Sequence, residues 1–327
     1  MRKVLLASTA LVAFGTVAAN AADVTLTGAT NWEYISYDNA SDTEGTNGTY
    51  FDHDFDMDVA FTETLDNGLS TTMAFGVSES GVDDGFFSIA GDFGTVRMIH
   101  SSGGIMGGAI AETVVDDKTT LETDSGSGAT VGLASKHDEA GGESTSTGIQ
   151  YTLPAMGGFS LAGEMRDSGV ADKANYSAAM ATYTADMGDG SSITLNYGAA
   201  TTDDTGETGD LSGTDATSIG VTVAMSNFAV SASRHTLADN GNTTDYATDI
   251  LNIQYSGIDG VVIDAFQKSG DDDINSTYDF ASTAASITYT IATGLSASVS
   301  MTDSEVTAAD GTKADDDATI LKLSASF

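Results

Sequence analysis

The chain has no cysteine, one proline, one tryptophan and four histidines, and its 11 lysines and arginines face 48 aspartates and glutamates. Each scarcity closes off a class of protein. Without cysteine there is neither a disulfide framework nor a thiolate metal site, so stability has to come from burial or from a sheet that closes on itself. A formal charge of −37 repels phosphate and excludes nucleic acid as a partner. After Ala19 no long apolar run occurs, so helical membrane insertion is excluded for the rest of the chain. His53, His100, His137 and His235 are scattered and fit no Ser-His-Asp, paired-carboxylate or metal-binding spacing, which argues against an enzyme.

What remains is a β composition: 37 glycines, with serine and threonine between the apolar residues. At the start, Arg2 and Lys3 form a basic head, Val4 to Ala19 a short apolar stretch, and Ala19-Asn20-Ala21 offers small residues to a signal peptidase. Residues 1–21 therefore read as an export signal and 22–327 as one mature domain. The apolar stretch is shorter than the ~20 residues a membrane-spanning helix needs, and polar alternation follows it at once.

That alternation has a period of two. Ile219, Val221, Val223 and Met225 share one face, a break falls at Ser226-Asn227, and Phe228, Val230 and Ala232 resume it. Ile287, Tyr289 and Ile291 are followed by Ala292-Thr293-Gly294 and then by Leu295, Ala297, Val299 and Met301. The opposite faces are serine, threonine and glycine, too many hydroxyls for a dry core, so they are expected to face water. Strands read this way cover 24–37, 50–65, 69–79, 84–91, 94–100, 146–154, 158–167 and 176–187. The second half continues with 190–201, 216–226, 227–236, 247–256, 260–268, 283–292, 294–303 and 317–327.

Tight turns fall at 66–68, 92–93, 155–157, 188–189, 226–227, 257–259 and 292–294, and longer acidic connections alternate with them. Short turns on one side, long loops on the other and an even strand count predict an all-β, 16-stranded antiparallel transmembrane β-barrel. Residues 130–136 read equally as a seventeenth strand. Assigning them to one long connection, 101–145, keeps every tight turn on the same side.

Strand parity also sorts the charges. Asp52, Asp54, Asp56 and Asp58 occupy alternate places, with Phe51, Phe55, Met57, Val59, Phe61 and His53 on the other face, so the four carboxylates are expected on the wall turned away from lipid. A solvated acidic face near a loop explains the run as well. The same parity turns Arg97, Glu164, Arg166 and Lys322 inward. Arg97 and Arg166 have a plainer role open to them, pairing with Glu164 and other wall acids to relieve repulsion. Asp203-Asp204, Asp271-Asp272-Asp273 and Asp315-Asp316-Asp317 cluster in predicted external loops, where oxygen ligands suit Ca²⁺ but ordinary solvated charge serves equally.

At the end of the chain Leu321, Leu323 and Ala325 alternate with Lys322, Ser324 and Ser326 before a terminal Phe327. This ending resembles the sorting signal of bacterial outer-membrane β-barrels. Gly91-Asp92-Phe93-Gly94-Thr95-Val96 resembles the Gly-x-Phe-Gly turn before the third loop of Gram-negative general porins, notably the α-proteobacterial, Rhodobacter-like type. Tyr151-Thr152-Leu153-Pro154 and Gly158-Phe159-Ser160-Leu161 are similar to the hairpin that follows that loop. Ile99-His100 departs from the Gly-Arg pair that commonly ends the fifth strand there.

The resemblance implies a homotrimer of barrels in the Gram-negative outer membrane, each with its third loop folded into the lumen. It places Glu112, Asp116 and Asp117 on that constriction loop, opposite Arg97, Arg166 and Lys322, in a transverse field that would orient solutes. The partners implied are outer-membrane lipid, lipopolysaccharide, and small hydrophilic solutes that diffuse through without a cofactor. The Asp run and the net charge predict a preference for cations. Two other functions explain parts of the sequence: a calcium-dependent surface adhesin fits the acids but not the terminal Phe327 or the lipid-type stripes. An outer-membrane lipid hydrolase would need a Ser and a His exposed at the lipid boundary.

Overall fold

The computed structural model describes residues 23–39, 48–78, 81–100, 105, 147–167, 175–202, 213–239, 245–272, 278–308 and 311–327. Eight strands make up the first half: β1 (Asp23–Asn39), β2 (Gly48–Thr64), β3 (Ser70–Ser78), β4 (Gly81–Gly91), β5 (Gly94–His100), β6 (Thr147–Thr152), β7 (Phe159–Asp167) and β8 (Tyr176–Gly188). Eight more complete it: β9 (Ser191–Thr202), β10 (Thr214–Met225), β11 (Phe228–Asp239), β12 (Asp245–Ile258), β13 (Val261–Asp272), β14 (Tyr278–Ala292), β15 (Leu295–Ala308) and β16 (Lys313–Ser326). Each pairs with the next in antiparallel fashion and β16 pairs with β1, so the sheet closes into a cylinder. Among the described residues no helix is long and apolar enough to cross a membrane.

The seven expected tight turns all join strand pairs at one end of the cylinder, beside Asp23 and Phe327. The glycine motif is explained there. Gly94 has φ +104°, and a Cβ at that place would run into the carbonyl oxygen of Thr152 on β6. The Tyr151 hydroxyl donates to the Phe93 carbonyl oxygen at 2.6 Å, so the two family motifs are one structural unit that clamps β4–β5 to β6.

Closure has its own lock. Phe327 N donates to Gly28 O at 3.0 Å and Gly28 N to Phe327 O at 3.1 Å, while the Phe327 ring covers the bare Cα of Gly28. An aromatic ring laid over a strand glycine is a known way to pin register.

The side chains then divide by parity as the sequence requires. Val24, Leu26, Trp32, Phe55, Met98, Ile149, Leu195, Ile219, Ile253, Ile287, Leu321 and Leu323 are all exposed, on the outward face. So continuous an apolar skin far exceeds the few hundred Å² a soluble monomer tolerates, and lipid removes its cost. Aromatic pairs stand at both ends of it: Phe159 with Tyr183 (ring centroids 4.4 Å) and Phe228 with Tyr255 (4.6 Å) near the turns, and Trp32 with His53 (5.3 Å) and Tyr34 with Phe51 (5.1 Å) toward the other rim.

Strands extend further than alternating hydrophobicity indicates. β13 runs to Asp272 and β16 begins at Lys313, so Asp271, Asp272, Asp315 and Asp316 are strand residues, contrary to the loop expected for them, while Asp317 lies within β16 as the strand expected from 317 has it. The connection between β3 and β4 shrinks to 79–80. The physical reason is that backbone pairing continues past the apolar band into water, where side-chain hydrophobicity no longer reports it. Residues 1–21, 130–136, Asp203, Asp204 and Asp273 lie outside the described residues.

Candidate functional site

The inner wall of the cylinder is the functional surface, and pairing register fixes which side chains share it. On β2, Asp58 stands opposite Thr27, Asp56 opposite Ala29, Asp54 opposite Asn31 and Asp52 opposite Glu33 of β1. Glu33 in turn stands opposite Lys322 of β16, and the Lys322 Nζ lies 3.2 Å from Glu33 Oε1. Residues directly opposite across a ladder point to the same side, so the ladder of carboxylates, Glu33 and Lys322 form one face, turned away from the apolar skin. The four aspartates are thus brought together as expected.

Their depths differ. Pairing of β2 with β3 ends at Asp56 opposite Ser78, so Asp56 and Asp58 belong to the closed wall while Asp52 and Asp54 ride on the part of β2 that rises above β3. Asp54, Asp56 and Asp58 are exposed and Asp52 is half-buried. Its Oδ1 accepts the His53 backbone N–H at 2.9 Å.

A second group spans β4 to β7. Arg97 NH1 donates to Gln150 Oε1 at 3.3 Å, and Gln150 Nε2 donates to Glu164 Oε2 at 3.1 Å. Arg166 Nε pairs with Glu164 Oε1 in an ion pair whose side chains are 1% and 0% exposed. The Arg97 guanidinium also lies 3.8 Å from the centroid of the Phe86 ring. Glu164 and Arg166 do point inward, but they are buried in one another's company. Neither presents a charge to the bore, which corrects their expected place as pore-lining groups. The plainer role, pairing with Glu164, is the one found for Arg166, whereas Arg97 donates to Gln150.

The wall from β8 to β15 mixes hydroxyls with buried apolar side chains such as Leu237, Ile250 and Phe266. Ser304 Oγ donates to Ser282 Oγ at 2.9 Å, and His235 Nδ1 and Nε2 lie 2.6 Å and 3.0 Å from the hydroxyls of Ser218 and Ser233. His235 is 1% exposed and faces inward, so this Ser-His contact is neither at the lipid boundary nor open to water. Asp264, held by Gln254 at 2.8 Å, and Lys268 are buried on the inner face of β13. Sequence reading passed over Glu33, Gln150, Asp264 and Lys268. Parity marks each as inward, yet it cannot show which cation meets which acid, because partners lie on strands far apart in sequence.

Glu112, Asp116 and Asp117 lie outside the described residues. Gly91, Phe93 and Gly94 form the β4–β5 turn. Within the third connection Ile105 is described, and it lies inside the cylinder. It packs against a cluster of Tyr176, Ala178, Ala200, Ala216 and Leu237 on the inner face of β8 to β11. Among the described residues no group of three His, Asp or Glu side chains is gathered to hold a metal ion.

A closed cylinder of sixteen strands, apolar outside and polar within, is the architecture of a bacterial outer-membrane channel. The family model for Gram-negative porins matches residues 7–327, and the chain belongs to that family. No curated protein matches it in sequence.

Its fold is shared with solved porins. It superposes on the anion-selective porin from Comamonas acidovorans with a TM-score of 0.66 at 13% identity, covering 94% of this chain and 100% of that one. In vitro folded OmpT, an outer membrane protein of Vibrio cholerae, gives 0.67 at 12% identity over 95% and 99%. A triple mutant of Rhodopseudomonas blastica porin gives 0.62 at 14% over 93% and 100%. At these identities the likeness establishes the fold and leaves the charge of the bore to be judged from this chain.

Proposed function

We propose that this outer-membrane porin is a cation-preferring channel through which small hydrophilic solutes diffuse without chemistry. The observation that carries the reading is the exposure of carboxylates on the inner face. Asp54, Asp56 and Asp58 are exposed on the inner face, whereas Lys322 is engaged by Glu33 and Arg166 by Glu164. A cation entering the bore meets these carboxylates, while the described Lys322 and Arg166 are each held by an acid, so the local potential favours cations. One solved neighbour is named as anion-selective, and selectivity in such cylinders follows the lining rather than the fold. Reversal potentials across a planar bilayer under a potassium chloride gradient test this, with the sign for cation preference expected and the opposite sign refuting it.

Two further parts of the reading come from the family and the N-terminus. We take the working unit to be a homotrimer, and the mature chain to begin at Ala22 after loss of the export signal. Native mass in detergent and the intact mass of purified protein decide these separately.

A further inference from the structure

We propose that the outer face of the cylinder between β9 and β13 carries a binding site for one zwitterionic aminophospholipid, with the lipid phosphate on Arg234, its ammonium on Asp249 and an acyl chain in the groove below them. The proposal rests on the barrel standing in a lipid bilayer and not on which ions it conducts.

Register places the charged pair on the skin. Arg234 of β11 stands opposite Ile219 of β10 and Asp249 of β12, and Asp249 stands opposite Ser269 of β13. Ile219 is 60% exposed on the outward face, so the whole row points outward. Arg234 NH1 donates to Asp249 Oδ2 at 2.9 Å, and both side chains are more than half exposed. This row closes the apolar skin. Beyond it, away from the turns, the hydroxyls of Thr217 and Thr236 lie 2.6 Å apart and Asp215 is exposed. Lipid headgroups meet a barrel at such a border.

Toward the turns the next outward row holds Leu195, Val221, Ala232 and Leu251. Ala232 is a short side chain between two longer ones, and over it lies a groove of about 540 Å³ whose polar lining is Arg234, Asp249, Gln267 and Ser269. An apolar trough with polar groups gathered at one end has the form of a site for a chain and its headgroup.

The charges select the headgroup. Among the described residues the guanidinium uses NH1 alone on Asp249, so its other N–H groups are left for phosphate oxygens, which suit its planar fork. Asp249 Oδ1 is left to accept from an ammonium. A polyanionic lipid gains Arg234 but meets Asp249 and Asp215, and a fully methylated ammonium has no N–H to give Asp249. A phosphate carrying a primary ammonium on a short linker satisfies both members of the pair.

Native mass spectrometry of the intact barrel in detergent tests the site, with phosphatidylethanolamine, phosphatidylcholine, phosphatidylglycerol and lipopolysaccharide titrated separately. One phosphatidylethanolamine per barrel is expected to bind about tenfold more tightly than the other lipids, as one charge-assisted hydrogen bond warrants. Arg234→Gln should abolish that preference. Asp249→Asn should weaken phosphatidylethanolamine about tenfold and strengthen phosphatidylglycerol, an inversion that lost packing alone does not produce. Ala232→Phe fills the groove with both charges in place and should lower retention of every phospholipid.

Equal retention of the four lipids by the parent, preference for any lipid other than phosphatidylethanolamine, or undiminished binding in Ala232→Phe overturns the proposal. If a charge variant does not fold, the lipid series on the parent and Ala232→Phe decide. A parent that retains phosphatidylethanolamine but forms no channel would overturn the porin reading alone, so the two failures are separable.

Discussion

Replacing Asp56 and Asp58 together by asparagine removes two exposed inner-wall carboxylates without changing shape, and the expected loss of cation preference can be worked from their placement. Alternate residues of a strand stand ~7 Å apart, so an ion passing midway lies within about 7 Å of both. Each unit charge then contributes about 0.6 kcal/mol in water, reduced by screening in 0.1 M salt to about 0.3 kcal/mol. Two such groups change the energy of a monovalent ion by about 0.6 kcal/mol, close to RT, raising the cation and lowering the anion by the same factor. The permeability ratio of potassium over chloride should therefore fall roughly sevenfold in 0.1 M salt and by less than about twofold in 1 M salt. Bilayer reversal potentials at the two ionic strengths measure it. An unchanged ratio at low salt, in a double variant that still runs as a folded barrel, would refute the assignment of these residues to the conducting path.

Gly28→Val places a branched side chain where the Phe327 ring lies, and should lower the unfolding midpoint followed by heat-modifiable mobility, costing about 1–3 kcal/mol. Phe327→Ala in the same background should relieve part of that cost, since the obstruction is the ring itself. Lys322→Gln deprives the nearly buried Glu33 of its cation and should destabilise by about 3 kcal/mol, whereas Lys322→Gln with Glu33→Gln should recover most of the loss in a double-mutant cycle. Additive losses in that cycle would mean the two groups do not interact.

Strand number, closure and facing were legible because a membrane barrel writes its geometry into a period of two: Ile219 to Met225 and Leu295 to Met301 had nowhere else to face. The turns were legible because Gly68, Gly94 and Gly294 adopt positive φ, and few other residues do so cheaply. Strand ends were not, as Asp272 and Asp315 show. Both are charged, sit in the ladder through backbone pairing, and are invisible to a hydrophobic pattern. The aspartate ladder survived intact because its four members lie on one strand. Glu164 and Arg166 were placed on the correct face with the wrong consequence, because their exposure is decided by Gln150 and Ile105, neighbours that strand parity alone cannot name.

The hydrogen bonds between Gly28 and Phe327 join positions roughly 300 residues apart, so the seam is a contact of very long range. Every half-built stage of assembly consequently carries two raw lateral margins, one leading and one trailing. Until the seam closes, both margins offer unpaired backbone groups to any other strand that reaches them.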